Sequence, residues 1–486
     1  MNSIDERTRL ATSADGWRGL IGVQFTRDSA LRVVHCILDM QESAQPGRSR
    51  VLVAHDTRDL GTEVARYTAA HAAARKVKHE VTLVRHLPTS TASFMTVQDF
   101  DLAILVTASH NPPDWNGIKV KIAPGLPAPP TLVAQIDHRI ATLAQADSPS
   151  KETPVVGRFV SAKPFMARHA AAAARFVPKE SRRPFRVAID GLGGIAEPAL
   201  ATLGQALGWE THLSGRVPAR DFGGIIPDPS KPAALAPLAE RIVRQAADFG
   251  LGLDGDGDRI YALDEIGCIV QPHDLMALLT IYEQEQGRTI RSVAVTQSTG
   301  MSVRLAAAYI GANVIETPIG FKHLAELLAS GEADVAGGSV GDIAFRERSL
   351  DRDPLSVAAH LSQVLADRGR PLSAEIRELR ASLGTENLVW LEAHLPGVRP
   401  PDSEVCSWLL DTGARSVGIE QSHVDLLEKG AVRLTGPDHQ WLMLRPSTTE
   451  GGLRLYGELT GAGANPATAI CSAVESRLSG YRVKEI

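Results

Sequence analysis

The chain has 486 residues, of which 44% are hydrophobic and 22% charged, so the composition is that of a folded globular protein rather than a disordered or fibrous one. Its 51 basic and 56 acidic residues give a net charge of −5, which argues against nucleic-acid binding. The N-terminus lacks a secretory pattern and no stretch is apolar enough to span a membrane, so we expect a soluble, cytoplasmic protein.

Short runs rich in Val, Ile and Leu alternate with longer Ala- and Arg-rich stretches. Strands are predicted at 51–55, 102–106, 186–189, 249–253 and 260–263, and a helix at 63–76. This alternation predicts α/β units, and because it recurs before residue 350 we expect three similar α/β domains and a different last one. Proline-rich or polar stretches predict linkers at 124–130, 147–154 and 395–403.

The first candidate functional segment is the glycine-rich stretch 15–22. Arg18 lies between glycines, which suggests a guanidinium close to an anion. On its own the pattern is equally compatible with a plain N-terminal turn.

A polar loop, Thr107-Ala-Ser-His-Asn-Pro-Pro113, directly follows the predicted strand 102–106. Open α/β sheets place reactive groups at the carboxyl ends of their strands. Ser109 is therefore a candidate nucleophile, with His110 and Lys119 as proton-transfer partners. An ordinary turn built from Ser, Asn and Pro remains open for this segment alone.

Three aspartates alternate with glycines between two predicted strands: Asp254, Asp256 and Asp258. Carboxylates this close repel one another unless a divalent cation binds them, and we expect Mg²⁺. A calcium-binding EF-hand loop is the rival, because Glu265 falls at its twelfth position. Against it, the sixth position is Arg259 instead of Gly and the flanks predict strands rather than helices. An acidic turn without an ion is the third possibility.

A hydroxyl-rich loop with an arginine at each end follows the apolar run 441–444. Guanidinium groups, hydroxyls and backbone N–H groups together can bind phosphate. The candidate phosphate ligands are Arg445, Ser447, Thr449 and Arg454. A hairpin with a Ser/Thr-rich turn is the structural alternative.

In this order and at these separations, the serine loop, the aspartate triplet and the hydroxyl-rich loop resemble the α-D-phosphohexomutase family, and most of all its phosphoglucomutase/phosphomannomutase branch. The resemblance covers almost the entire chain and extends to three further motifs: His55-Asp-Thr-Arg58, Leu87-Pro-Thr-Ser90 and Thr317-Pro-Ile-Gly-Phe-Lys322. It implies three topologically similar α/β domains and a smaller C-terminal α+β domain around a central cleft. The expected domains are 1–150, 151–265, 266–375 and 376–486.

The resemblance also implies roles for the candidate residues. Ser109 is expected to be a phosphoserine whose phosphate completes the Mg²⁺ site of the three aspartates. Lys119 and His110 are expected to be the proton-transfer and orienting residues, and Arg18 and Arg259 are expected near the transferred phosphate. The loop 445–454 is expected to hold the phosphate that does not react. The implied activity is transfer of a phosphoryl group between two hydroxyls of a sugar phosphate through a bisphosphorylated intermediate.

One loop departs from the family pattern. A Gly-Glu-x-Ser-Gly segment normally binds the sugar hydroxyls, and here its Glu and Ser positions are Gly338 and Val340. Restoring both groups is expected to raise activity on glucose 1-phosphate if their loss explains specificity. The remaining candidates for substrate binding are Lys322, Ser339, Asp342 and Arg346. We therefore expect a mutase acting on a non-standard sugar phosphate, as monomer or homodimer. A phosphatase or phosphotransferase using the same serine, or a binding protein without catalysis, is the alternative.

Overall fold

The computed structural model describes residues 10–77, 79–143, 157–395, 423–427, 430–447 and 452–460. The first unit contains the strands β1 Ala11–Thr12, β2 Trp17–Leu20, β3 Arg50–His55, β4 Glu80–Arg85, β5 Leu102–Val106, β6 Trp115–Ile122, β7 Leu126–Pro127 and β8 Val160–Ser161. Its helices are α1 Arg27–Ala44, α2 Gly61–Ala74, α3 Thr89–Gln98 and α4 Pro130–Thr142. The strands form one sheet in the order β1-β2-β6-β5-β3-β4-β8, with β7 paired to β6.

The second unit contains α5 Lys163–Ala174, β9 Arg186–Asp190, α6 Glu197–Leu207, β10 Glu210–Leu213, α7 Pro232–Gln245, β11 Phe249–Leu253, β12 Ile260–Leu263 and β13 Ile269–Val270. The third contains α8 Pro272–Glu285, β14 Ser292–Thr296, α9 Met301–Tyr309, β15 Asn313–Thr317, α10 Phe321–Ser330, β16 Val335–Gly337, β17 Ile343–Phe345, α11 Pro354–Arg368 and α12 Leu372–Leu383. Their sheet orders are β10-β9-β11-β12-β13 and β15-β14-β16-β17.

These three units repeat one four-strand topology: β4-β3-β5-β6, β10-β9-β11-β12 and β15-β14-β16-β17. In each, the first three strands are parallel and the fourth is antiparallel to the third. The turn before the fourth strand is therefore equivalent in all three. In chain order this turn contains Ser109, the three aspartates and the segment 338–342. The prediction of three similar α/β domains is confirmed.

The described residues of the C-terminal region form an antiparallel sheet in the order β18-β22-β21-β20-β19. Its strands are β18 Leu388–Leu395, β19 His423–Leu426, β20 Val432–Thr435, β21 Trp441–Pro446 and β22 Leu453–Thr460. One hydrophobic core runs from the first unit to the third, including Leu52, Val187 and Val293. Continuous apolar burial of this kind favours a fixed arrangement of the three sheets around the cleft.

Several sequence expectations can be placed on this fold. The predicted helix 63–76 corresponds to α2. The aspartate triplet is flanked by strands, whereas an EF-hand loop is flanked by helices, so the calcium-binding alternative is excluded. The predicted linker 124–130 is wrong, because it contains β7, paired to β6, and the first residue of α4. The expected linker 147–154 lies outside the described residues, and so does 395–403 except for Leu395, which is the last residue of β18. The domain limits remain a prediction, and the one expected after residue 375 falls inside α12.

Candidate active site

Ser109 lies in the turn between β5 and β6 in the left-handed backbone region, with φ of 57°. Non-glycine residues adopt this conformation at a cost, and such strain concentrates at functional sites. The Ser109 N–H donates to Thr107 Oγ1 at 2.9 Å, and Thr107 Oγ1 donates to Asp56 Oδ2 at 2.7 Å. Ser109 Oγ lies 2.6 Å from Asp254 Oδ2 and 3.5 Å from His110 Nδ1. The hydroxyl is thus held between the first and second units.

A buried arginine that the sequence analysis left without a role positions this turn. The Arg58 guanidinium donates to four carbonyl oxygens of the turn: Ser109 and Asn111 at 2.7 Å each, Pro112 at 2.5 Å and Trp115 at 2.9 Å. Its Nε lies 3.1 Å from Asp56 Oδ2, and both side chains are fully buried. Planar guanidinium donors suit such a convergent set of acceptors. The motif His55-Asp-Thr-Arg58 was visible in the sequence, but its contact with the serine turn follows only from the fold.

The side chains of Asp254, Asp256 and Asp258 are buried, and their oxygens lie within 4.8 Å of one another. Burial, and then repulsion from Asp258 and Asp256, raises the pKa of Asp254 well above its ordinary value. One oxygen each of Asp256 and Asp258 is buried without a hydrogen-bond partner among the described residues. Hard, unpaired carboxylate oxygens are the ligands that Mg²⁺ prefers, so the donor set fits this ion.

The glycines of this turn are required by close packing. A Cβ at Gly257, which has φ of 72°, would lie 2.3 Å from Ala196 Cβ. A Cβ at Gly255 would lie 2.7 Å from the carbonyl oxygen of Ser109. From the first unit, Thr89 Oγ1 donates to Asp256 Oδ2 at 2.7 Å. The serine turn and the aspartate turn are therefore in direct contact and constrain each other.

Lys119 on β6 lies among the carboxylates. Its Nζ is 2.5 Å from Asp258 Oδ2, 2.8 Å from Asp256 Oδ2 and 3.2 Å from Asp15 Oδ2. Burial would lower the pKa of Lys119, but Asp256, Asp258 and Asp15 raise it above its ordinary value. Lys119 is therefore a charged donor beside the aspartate turn.

Arg352 of the third unit joins the same network. Its Nη2 is 3.0 Å from Asp258 Oδ2 and pairs with Asp15 of the first unit. Burial would raise the pKa of Asp15, but Lys121, Lys119 and Arg352 hold it well below its ordinary value. The sequence analysis missed Asp15 and Arg352, because neither stands in a segment whose spacing indicates charge pairing.

A cavity of about 320 Å³ opens beside these groups. Arg18, His110 and Arg259 line it beside the serine turn, and the Arg18 Nη1 donates to Asn111 Oδ1 at 2.6 Å. The Nε atoms of Arg18 and Arg259 are buried without a hydrogen-bond partner among the described residues. Burial is the largest cause that lowers the pKa of His110 well below its ordinary value, and the positive charges of Arg259 and Arg18 lower it further. Its imidazole is therefore neutral near pH 7. Two guanidinium groups lining one part of a cavity favour an anion there.

Arg445 and Arg454 line another part of the same cavity and face each other across β21 and β22. Directly opposed like charges destabilise a sheet, and a bound anion offsets that repulsion. Arg445 Nη2 donates to Tyr456 Oη at 3.1 Å, and Arg454 Nη1 lies 3.4 Å from Glu392 Oε1. The pair is a candidate second anion site.

The other predicted residues are placed as follows. Lys322, Ser339 and Asp342 line the cavity. Arg346 is not brought there, since its Nε donates to the carbonyl oxygen of Leu328 at 3.1 Å. Ser447 lies at the end of β21, and its N–H donates to the Gly452 carbonyl at 2.9 Å. Thr449 lies outside the described residues.

Three family models match the chain in succession. They are described as phosphoglucomutase/phosphomannomutase alpha/beta/alpha domains I, II and III, and they match residues 9–147, 164–267 and 271–382. The chain belongs to the α-D-phosphohexomutase family. As a phosphohexomutase it is an isomerase that transfers phosphate.

Curated phosphohexomutases and a solved structure extend the match. The chain is 28% identical over 464 residues to a phosphoglucosamine mutase from Xanthobacter autotrophicus, covering 93% of this chain and 95% of that relative. It is 29% identical over 377 residues to one from Frankia alni, covering 75% and 80%. A phosphoglucomutase/phosphomannomutase family protein from Burkholderia thailandensis shares the fold, with a TM-score of 0.75 and 22% identity over 97% of this chain and 98% of that one. No helix among the described residues is long and apolar enough to cross a membrane.

Proposed function

We propose that this phosphohexomutase moves a phosphoryl group between the 1- and 6-hydroxyls of a hexose phosphate through a phosphorylated Ser109. The observation that carries the proposal is a single cavity lined by two pairs of arginines from different parts of the fold. Arg18 and Arg259 lie beside the Ser109 turn, and the opposed pair Arg445 and Arg454 of the C-terminal sheet lines the same cavity. A sugar with a phosphate at each end matches this distribution of positive charge.

The reaction requires two transfers that conserve the phosphoryl group. Phospho-Ser109 gives its phosphoryl group to the free hydroxyl of the substrate, whose proton leaves, and the Ser109 Oγ–P bond breaks. The resulting bisphosphate turns end for end, and Ser109 Oγ loses its proton and attacks the other phosphate. The bond between that phosphorus and the sugar oxygen breaks, the sugar oxygen takes up a proton, and phosphoserine is regenerated. Neutral His110, beside Ser109 Oγ, is placed to orient the hydroxyl or accept its proton.

Charge on the transferred group must be neutralised during both steps. Arg18, Arg259 and Lys119 supply fixed positive charge there. Asp254, Asp256 and Asp258, with a phosphate oxygen of Ser109, would hold Mg²⁺, which when bound neutralises charge on the phosphoryl oxygens. The pair Arg445 and Arg454 would hold the phosphate that is not reacting.

The substrate is proposed to be a hexose phosphate that this enzyme binds without the usual Glu and Ser of the sugar loop. Two curated relatives are named phosphoglucosamine mutase, which makes an amino sugar the first to try. The enzyme with Mg²⁺ and a trace of glucose 1,6-bisphosphate is followed by ³¹P NMR with glucose, mannose, glucosamine and ribose 1-phosphates. Conversion of one of the three hexose phosphates to its 6-phosphate supports the proposal, whereas conversion of ribose 1-phosphate alone would support the phosphoserine mutase chemistry but contradict a hexose substrate.

Two other outcomes contradict it. Release of inorganic phosphate would indicate the phosphatase alternative, in which water replaces the sugar hydroxyl. Absence of any reaction, together with absence of phosphate on Ser109 by mass spectrometry after incubation with the bisphosphate, would contradict phosphoserine chemistry altogether.

A further inference from the structure

The turn between β16 and β17 contains one carboxylate, that of Asp342 at its C-terminal end. The position at which the family has a glutamate, Gly338, is at the other end of the same turn. The turn is closed by the Gly338 N–H, which donates to the Asp342 carbonyl oxygen at 3.1 Å. A Cβ built on Gly338 would lie 2.7 and 2.8 Å from the two carboxylate oxygens of Asp342. These distances are shorter than van der Waals contact. The Asp342 carboxylate therefore occupies the space in which a side chain at position 338 would begin.

Asp342 lies at the cavity. Its side chain lines the wall, although the residue is only 6% exposed, and Oδ1 accepts a weak hydrogen bond from the Val340 N–H at 3.3 Å. Burial raises the pKa of Asp342, while the positive charges of Arg259 and Arg352 oppose that change. A carboxylate has two oxygens and about four acceptor sites, so with backbone N–H donors from Val340 and from Asp342 itself it retains capacity to accept from a ligand.

Neutral hydroxyl groups lie beside it. Ser339 Oγ is 3.1 Å from Ser298 Oγ, and both residues line the same cavity together with Gln297. The wall formed by the third unit thus combines one carboxylate with side chains that donate and accept, and it also includes the cations Lys322 and Arg352. The part made by the carboxylate and the neutral groups suits a ring bearing hydroxyl or ammonium groups rather than a second phosphate.

We propose that Asp342 is the residue that binds the donor groups of the sugar ring, in place of a glutamate at position 338. The proposal rests on the proposed mutase function and makes it more specific, because a carboxylate at 342 and a side chain at 338 are alternative occupants of one space. The substrate is accordingly a hexose phosphate whose ring offers hydroxyl or ammonium donors to a single carboxylate. Adding Glu at 338 alone displaces the Asp342 carboxylate instead of restoring a missing group.

The first test measures binding without turnover, in a Ser109→Ala background, by calorimetry with glucosamine 1-phosphate and glucose 1-phosphate. Asp342→Asn retains an oxygen for the Val340 N–H but loses the negative charge. We expect it to weaken binding of the preferred sugar phosphate at least about tenfold, with an unchanged Tm. Unchanged affinity for both sugars would overturn the proposal, since a purely structural Asp342 is replaced by Asn without loss of binding.

The second test exchanges the two positions. Gly338→Glu alone is expected to weaken binding about as much as Asp342→Asn, and Gly338→Glu with Asp342→Gly is expected to bind more tightly than either single variant. A double variant that binds worse than both would contradict a shared space. Because binding is measured in the Ser109→Ala background, failure of the mutase proposal appears separately. In that case the background protein binds a sugar phosphate in an Asp342-dependent way, while the enzyme with Ser109 intact isomerises none of the sugars.

Discussion

The turn of the third unit differs from its equivalents in the first two, although all three precede the antiparallel fourth strand of the same topology. The serine and aspartate turns are fixed by buried partners: Arg58 contacts one, Thr89 the other, and Gly255 packs against the Ser109 carbonyl. The third turn is also closely packed, since a Cβ at Gly341 would lie 2.3 Å from the Ile260 carbonyl oxygen, but the side chains of Ser339 and Asp342 line the cavity. Residues that contact other protein groups on every side tolerate little change, whereas residues that face the ligand can change with the ligand.

This difference explains why the serine and aspartate turns keep the family pattern while the turn 338–342 does not. Phosphoryl transfer places the same demands on charge and alignment whatever sugar is attached. Sugar binding depends on which hydroxyl or amino groups face the wall, so substitutions at Gly338 and Val340 are compatible with intact chemistry at Ser109. Breaking the first two turns should therefore abolish catalysis, and changing the third should redirect it.

The largest effect is expected for Ser109→Ala. Removal of the phosphoryl acceptor should lower kcat at least about a thousandfold on whichever sugar phosphate the wild type converts. Steady-state kinetics measure this, and mass spectrometry should find no phosphopeptide containing residue 109. Ser382→Ala, at an exposed position on α12, is the matched control and should retain full activity. Full activity of Ser109→Ala would refute the phosphoserine.

The next largest effect concerns the aspartate turn. Asp256→Asn removes the negative charge of a proposed ligand while keeping one oxygen, and it should weaken Mg²⁺ binding at least about a hundredfold. Calorimetry with Mg²⁺ alone measures this without reference to activity. Asp264→Asn, in the following turn, is the control and should bind Mg²⁺ like wild type, because Asp264 accepts from Cys268 N–H and is not in the triad. Equal Mg²⁺ affinity in the two variants would contradict the site.

Arg58→Ala tests whether a residue outside the serine turn holds that turn in position. It leaves the buried Asp56 carboxylate without its cation and four carbonyl groups without their donor, so the free energy of unfolding should fall by about 3–5 kcal/mol. Misplacement of Ser109 should also lower kcat about a hundredfold. Chemical denaturation and kinetics measure the two effects. Arg48→Ala, which breaks an ion pair exposed on both sides, should change stability by less than about 1 kcal/mol.

The same residues show which parts of the candidate site could be predicted from the sequence. Ser109 and the aspartate triplet were found because nucleophile and metal chemistry require certain residue types at short spacing. Arg58 and Arg352 act across 51 and 94 residues on Ser109 and Asp258, and no local pattern encodes such a contact. Arg346 was expected at the substrate, but the fold turns it towards α10. Side-chain direction at the end of a strand depends on packing that the sequence alone does not reveal.

The smallest effect concerns how the third unit is joined to the C-terminal sheet, where the contact is buried and independent of the sugar. Glu458 on β22 accepts from the Met301 N–H at the start of α9 at 2.6 Å, and its Oε1 lies 3.2 Å from His273 Nε2. Burial would lower the pKa of His273, but Glu458 raises it above its ordinary value. Burial would raise the pKa of Glu458, but His273 lowers it.

The sign of the pH dependence follows from these two directions. The stability that His273 contributes is fully present below the histidine pKa of the unfolded chain, about 6.5. It is lost as the pH rises through the raised pKa of His273 in the folded protein. The stability that Glu458 contributes is fully present above the ordinary glutamate pKa of 4.5. It is lost as the pH falls through the lowered pKa of Glu458 in the folded protein. His273→Gln should therefore lower Tm more at pH 5.5 than at pH 9, by scanning calorimetry. His423→Gln, from an exposed pair with Asp425, is the control, and an equal pH dependence in both variants would show that the buried pair does not couple the two units.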